Sequence, residues 1–147
     1  LDAIKAAIND GKLALAVSLI KEYEGIVGDD APLCSAKGIV YMIDGHLDEA
    51  EEAFLAGLTL QPDNEDLLFN LGYLYEIRGN VTEAMRFYNE ARRCAQDDGA
   101  LREINEALDR LRSSQEQSIS SASDVSVESA LDNHIAVLQA AIQGRSR

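Results

Sequence analysis

The sequence predicts an all-α fold built from stacked antiparallel helix pairs. Three observations lead there. Small and aromatic residues recur at a spacing of 34 residues. The composition, 46% apolar with much Ala, Leu and Glu, no Trp and two Pro, favours helices over strands. Glycines and capping residues punctuate the apolar segments at regular intervals.

Under a 34-residue shift Gly38 falls on Gly72, Tyr41 on Tyr75, Gly45 on Gly79, Ala50 on Ala84, and Phe54 on Tyr88. Gly11 and Ala16 carry the same register one period earlier. A fixed period of this size marks a solenoid, in which each unit buries its apolar face against its neighbours. Within a period, residues 31–44 and 65–78 read as a first helix, A, and residues 47–60 and 81–96 as a second, B. The glycine between them stands where a helix stops and the chain reverses, a place for left-handed backbone. Gly38 and Gly72 lie inside helix A, where Gly costs about 1 kcal/mol against Ala. That cost implies a close approach, expected at Ala50 or Ala84 of helix B. Tyr41, Tyr75, Phe54 and Tyr88 are the expected gap fillers. Pro62-Asp63-Asn64 ends one helix B and opens the next helix A. Asn80, although part of an Asn-Val-Thr sequon, reads as a helix cap.

The pattern resembles the tetratricopeptide repeat family. Leu68, Leu71-Gly72, Tyr75, Ala84, Tyr88 and Ala91 carry the resemblance in one repeat, and Gly38, Tyr41, Ala50, Phe54 and Pro62 in the other. Lys37, Gly57 and Gln96 depart from the motif, and Asp97-Asp98-Gly99 supply the stop that the missing Pro would give. The resemblance implies a right-handed superhelical α-solenoid over residues 1–112. Residues 1–28 form a partial repeat, 31–64 and 65–98 two full repeats, and 99–112 a capping helix. The cap's apolar set is Leu101, Ile104, Leu108 and Leu111, and Arg102, Glu103, Glu106 and Arg110 make its polar face.

Residues 113–126 form a Ser-rich linker with too few apolar groups to pack. Residues 127–143 read as an extra, amphipathic C-terminal helix. Its stripe is Leu131, Ile135, Leu138 and Ile142, at spacings of 4, 3 and 4. That stripe has two candidate resting places: the inner groove of the array, in its own chain or in a neighbour's as a homodimer, or the outside of helix 99–112.

Family resemblance also assigns the inner, concave face to helix A. It implies Pro32, Ser35, Ile39, Met42 and Ile43 from the first full repeat, and Asp66, Phe69, Tyr73, Glu76 and Ile77 from the second, with Asn70 beside them. Ile39, Met42, Ile43, Phe69, Asn70, Tyr73 and Ile77 are the expected peptide-binding groove, apolar and adaptable. Members that bind a carboxylate tail use a clamp of Lys, Asn and Arg. Only Asn70 matches it here, while Ser35, Ile39, Ala100 and Ile104 stand at the other clamp places, so the resemblance does not imply that activity.

Charge narrows the partners. A formal net charge of −13 and a pI near 4.4 repel phosphate, which disfavours nucleic acid and anionic membrane and leaves basic or apolar protein segments. No apolar run approaches the ~18–20 residues of a membrane span, and no leader pattern precedes the first helix, so a cytoplasmic location is expected. Cys34 and Cys94 read as reduced thiols. His46 reads as a solvated helix-start residue, and the acids Asp48, Glu49, Glu51 and Glu52 as first-turn dipole partners. No catalytic, metal or cofactor motif is present. The expected function is a non-catalytic protein-interaction scaffold. Two alternatives stand beside it. One is an accessory module of a larger bacterial enzyme such as a glycosyltransferase, because Asp66–Glu76 is similar to repeat modules attached to those enzymes. The other is a self-assembling solenoid oligomer.

Overall fold

Three helices end in the same way. Lys12, His46 and Asn80 donate their amides to the carbonyls of Ala7, Tyr41 and Tyr75, each five residues back, at 2.8–2.9 Å. Gly11, Gly45 and Gly79 lie just before them with φ of 76, 83 and 79°. This 6→1 bond around a left-handed residue satisfies a terminal carbonyl and reverses the chain. The three turns are spaced by the 34-residue period.

The protein, seen in a computed structural model that describes residues 1–120, is a row of helices joined by such turns. They are α1 (Asp2–Asn9), α2 (Leu13–Val27), α3 (Ala31–Ile43), α4 (Leu47–Leu60), α5 (Glu65–Ile77), α6 (Val81–Cys94) and α7 (Asp98–Ser120). Among the described residues there is no strand. Each helix packs on the next, and the first helices of successive pairs, α1, α3 and α5, also touch in order. This is the helical solenoid that the period predicted. The first helix of the partial repeat is short, eight residues against thirteen in α3 and α5.

Side-chain caps start the later helices. Asp30, Asn64, Asn80 and Asp97 accept the amides of Leu33 (2.7 Å), Leu67 (3.1 Å), Glu83 (3.2 Å) and Ala100 (2.7 Å). Each satisfies a donor that the helix cannot. His46 caps α4 by position and stays exposed, 3.0 Å from Asp44.

The mid-helix glycines do mark close approaches, but aromatic rings, not Ala50 and Ala84, come nearest. A Cβ at Gly72 would stand 2.6 Å from Cδ1 of Tyr88, and one at Gly38 would overlap the ring of Phe54. Phe54 and Tyr88 are fully buried. Gly57 does the same between repeats, where a Cβ would meet Leu67 at 2.7 Å and Cys34 at 3.0 Å. Tyr41 fills no gap and is 37% exposed. Its counterpart Tyr75 is held at the surface of α4 instead, donating to the Glu51 carboxylate and stacking on Phe87 at 5.5 Å and 7°. Arg78 closes that junction, with Nη2 2.6 Å from Asp48 and Nη1 3.0 Å from Glu51.

The final helix differs from expectation. It runs to Ser120, beyond the end expected at residue 112, and so takes in the first part of the Ser-rich segment. Residues 113–116 are exposed, in keeping with their lack of packing groups. The segment contains Gln and Glu but neither Gly nor Pro, so nothing breaks the helix. Leu131, Ile135, Leu138 and Ile142 lie outside the described residues.

Candidate concave face

Helix α5 sets the chemistry of the face that family position assigns to the inside. Its residues Phe69, Asn70 and Tyr73 are 4%, 2% and 2% exposed. Ile39 and Met42 of α3 are buried as well, and Ile43 and Ile77 are partly buried against the core. Five of the seven residues of the expected groove are thus buried. Consecutive A helices, α3 and α5, touch directly. Phe69 of α5 also packs on α6, with its ring 5.3 Å from that of Tyr88 at an interplanar angle of 53°.

The face instead carries polar chemistry at two levels. In the middle, Asn70 Nδ2 donates to Ser35 Oγ at 3.2 Å, linking α5 to α3. The carbonyl oxygen of Asn70 is buried and has no hydrogen-bond partner among the described residues. Toward α7, Glu76 collects three donors. Tyr88 Oη lies 2.8 Å from its Oε1, Arg110 Nη2 2.9 Å from the same oxygen, and Arg110 Nε 2.8 Å from Oε2. The guanidinium also sits 5.9 Å from the centroid of the Tyr73 ring. Burial pushes the Tyr88 and Tyr73 hydroxyls well above the usual phenol range, and the Glu76 carboxylate adds to it. The bond to Glu76 raises Arg110 further. This cluster was not foreseen as a unit. The signal that finds it is the register: Glu76 and Arg110 are opposite charges one period apart, hence at equivalent positions of adjacent A helices.

At the edge formed by the starts of α5 and α7 lies a recess of about 890 Å³. Asp63, Glu65, Asp66, Asp97, Asp98 and Glu103 line much of it. Acids there suit the helix N-termini, and they make this edge repel anions. The remaining clamp places, Ile39, Ala100 and Ile104, are buried apolar residues.

Neither thiol offers chemistry on this face. Cys34 and Cys94 are unbridged. Burial raises both thiol pKa values, and nearby acids, Asp29 for Cys34 and Asp63 for Cys94, add to it. Among the described residues no cluster of His, Cys, Asp and Glu could hold a metal ion, and no helix is long and apolar enough to cross a membrane.

Paired helices on a 34-residue period, with glycine-seated aromatics, agree with a comparison against known families, in which the tetratricopeptide repeat profile matches residues 35–100. Residues 35–100 belong to the tetratricopeptide repeat family. The match begins within α3 and ends at the start of α7, so it covers all but the first four residues of the two full repeats. A segment of 65 residues, 44% of the chain, is 35% identical to Protein O-mannosyl-transferase TMTC1 of Mus musculus. The matched segment amounts to 7% of that relative's length. Tetratricopeptide repeats are, as a class, protein-interaction folds, and Ser35 of α3 and Asn70 and Glu76 of α5 stand on the helices that family position assigns to their concave face.

Proposed function

We propose that the array is a non-catalytic scaffold that holds a polypeptide segment against its concave face, with Asn70 as the central contact. The observation that carries this reading is the partnerless carbonyl oxygen of Asn70. A buried acceptor without a donor costs about 1–3 kcal/mol, and a peptide N–H is the donor a bound chain would bring. Ser35, bonded to the same amide, is partly exposed and gives access from the surface. The acidic recess nearby favours a segment with basic residues over an acidic one. An intracellular, cytoplasmic setting fits two thiols left unbridged.

The chain carries one candidate occupant itself. Residues 127–143, with Leu131, Ile135, Leu138 and Ile142, make a segment whose apolar stripe needs cover. A synthetic 127–143 peptide, titrated calorimetrically into the full chain bearing Leu131→Glu and Leu138→Glu, tests both points. Binding is expected, and Asn70→Ala is expected to weaken it about tenfold, the loss of roughly one buried hydrogen bond. Binding unaffected by Asn70→Ala removes Asn70 from the site, and no binding removes the segment as occupant.

A second reading rests on the relative named above. A similar stretch sits within a much longer protein whose name is that of a mannosyl-transferase. On this reading the repeats are an accessory module of an enzyme whose catalytic residues lie elsewhere. The notion of a bacterial glycosyltransferase gains no support from a mouse relative. Measurable glycosyl transfer by this chain alone would contradict both readings.

A further inference from the structure

The recess at the starts of α5 and α7 and the last part of the sequence are opposite in charge. Asp63, Glu65, Asp66, Asp97, Asp98 and Glu103 line the recess, against a single cation there, Arg102. Beyond Arg112 the sequence first has acids, Glu116, Asp124, Glu128 and Asp132. Its arginines, Arg145 and Arg147, come only after the apolar stripe of residues 127–143. The recess also continues into the Asn70 site. Asp66, in its lining, precedes Asn70 by four residues, so the two lie one turn apart on one side of α5. Ala100, in the same lining, stands with Asn70 among the clamp places. Asn70 is 2% exposed and its carbonyl oxygen lacks a partner, so this side of α5 calls for a donor independently of the acids.

We propose that the acidic recess is the subsite for Arg145 and Arg147 of this chain, taken up when residues 127–143 lie on the Asn70 face. This rests on the reading of Asn70 as the centre of a polypeptide-binding face. Charge sets the direction of the segment. Its arginine end enters the recess, and Glu128 and Asp132 stay away from it; the reverse direction would set those two acids against the acids of the lining. The length of chain allows the return. α7 has 23 residues, about 34 Å, and leads away from the recess at its start. Residues 121–144 separate Ser120 from Arg145. Even at the helical rise of ~1.5 Å per residue they cover about 36 Å. A guanidinium group suits the site, because its planar fork bonds a carboxylate through two N–H groups at once. A basic segment of another protein then competes with these arginines for the same acids.

Calorimetry with two synthetic peptides, residues 127–143 and residues 127–147, both with neutral blocked ends, tests the proposal. The host is the full chain bearing Leu131→Glu, Leu138→Glu, Arg145→Ala and Arg147→Ala, whose own segment no longer competes. The longer peptide is expected to bind about tenfold more tightly in low salt, as two partly exposed ion pairs would give, and within about threefold of the shorter one in high salt. In a host that also carries Asp66→Asn and Glu103→Gln, the low-salt advantage falls to about twofold or less. Glu52→Gln with Glu106→Gln, exposed acids outside the recess, removes the same charge and leaves the advantage in place. Circular dichroism checks that all hosts fold. Equal binding of the two peptides, or an advantage that the recess pair reduces no more than the control pair, overturns the subsite and leaves the Asn70 reading standing. If neither peptide binds, residues 127–143 are not the occupant of the face and the subsite falls with them.

Discussion

Arg110 and Glu76 stand one repeat period apart and form a two-pronged ion pair, 2.8 and 2.9 Å, that fixes the last helix to the repeat before it. The same carboxylate accepts a hydrogen bond from the buried Tyr88 hydroxyl at 2.8 Å. Glu76 thereby ties α5, α6 and α7 together. Its side chain is 15% exposed while that of Arg110 is 41% exposed, so the pair is partly screened and its net worth is modest. In a double-mutant cycle with Glu76→Gln and Arg110→Met, chemical denaturation is expected to return a coupling of about 1 kcal/mol. A coupling near zero would mean that the cap is held by Ile104, Leu108 and Leu111 alone.

Two glycine substitutions should act in opposite directions. Gly72→Ala drives a methyl into the ring of Tyr88, whose surroundings are fully packed. The expected loss is about 1–3 kcal/mol despite the better helix propensity. Gly25→Ala in α2 meets open space and should gain about 0.5–1 kcal/mol. Thermal midpoints of the two variants check this, and a stabilised Gly72→Ala would show that Tyr88 can move.

Alkaline pH should unfold the chain through its buried phenols. The folded pKa of Tyr88 and Tyr73 lies above the ordinary 10.0, so the folded state keeps protons that the unfolded state gives up. Their contribution is complete below pH 10 and is lost progressively above it, at about 1.4 kcal/mol per pH unit for each group. Tyr88→Phe removes one such group. Stability measured from pH 8 to 11 should fall less steeply for the variant, and equal slopes would contradict the placement of that hydroxyl.

The thiols should differ in reactivity. Cys34 is 4% exposed and Cys94 is only partly buried, at the edge of the acidic recess. Alkylation of the folded protein, followed by mass spectrometry, should label Cys94 first. Preferential labelling of Cys34 would show that α3 and α4 open locally.

Much of the scaffold was legible because each turn and cap depends on a few neighbouring residues. Gly45 and Gly79 announce left-handed turns, and Asn64 and Asn80 announce caps, whatever surrounds them. The concave face was less legible. Whether Phe69 and Tyr73 look outward or inward depends on how closely consecutive A helices approach, and that distance is set by side chains of three helices together. Polarity could have warned of it: Asn70 beside Ser35, and Glu76 one period before Arg110, mark where the face needs partners. The end of α7 was missed because its serines lack apolar neighbours, whereas an exposed helix needs only residues that do not break it.

Asn70 is the proposed centre of a polypeptide-binding face. Site-specific photo-crosslinking in the source cell tests that most directly, with the crosslinker placed at Ser35, beside Asn70, or at Leu55, exposed on α4. Polypeptide adducts from position 35 that vanish in Asn70→Ala, with few from position 55, are the predicted result. Adducts equally abundant from both positions, or unchanged by Asn70→Ala, would contradict it.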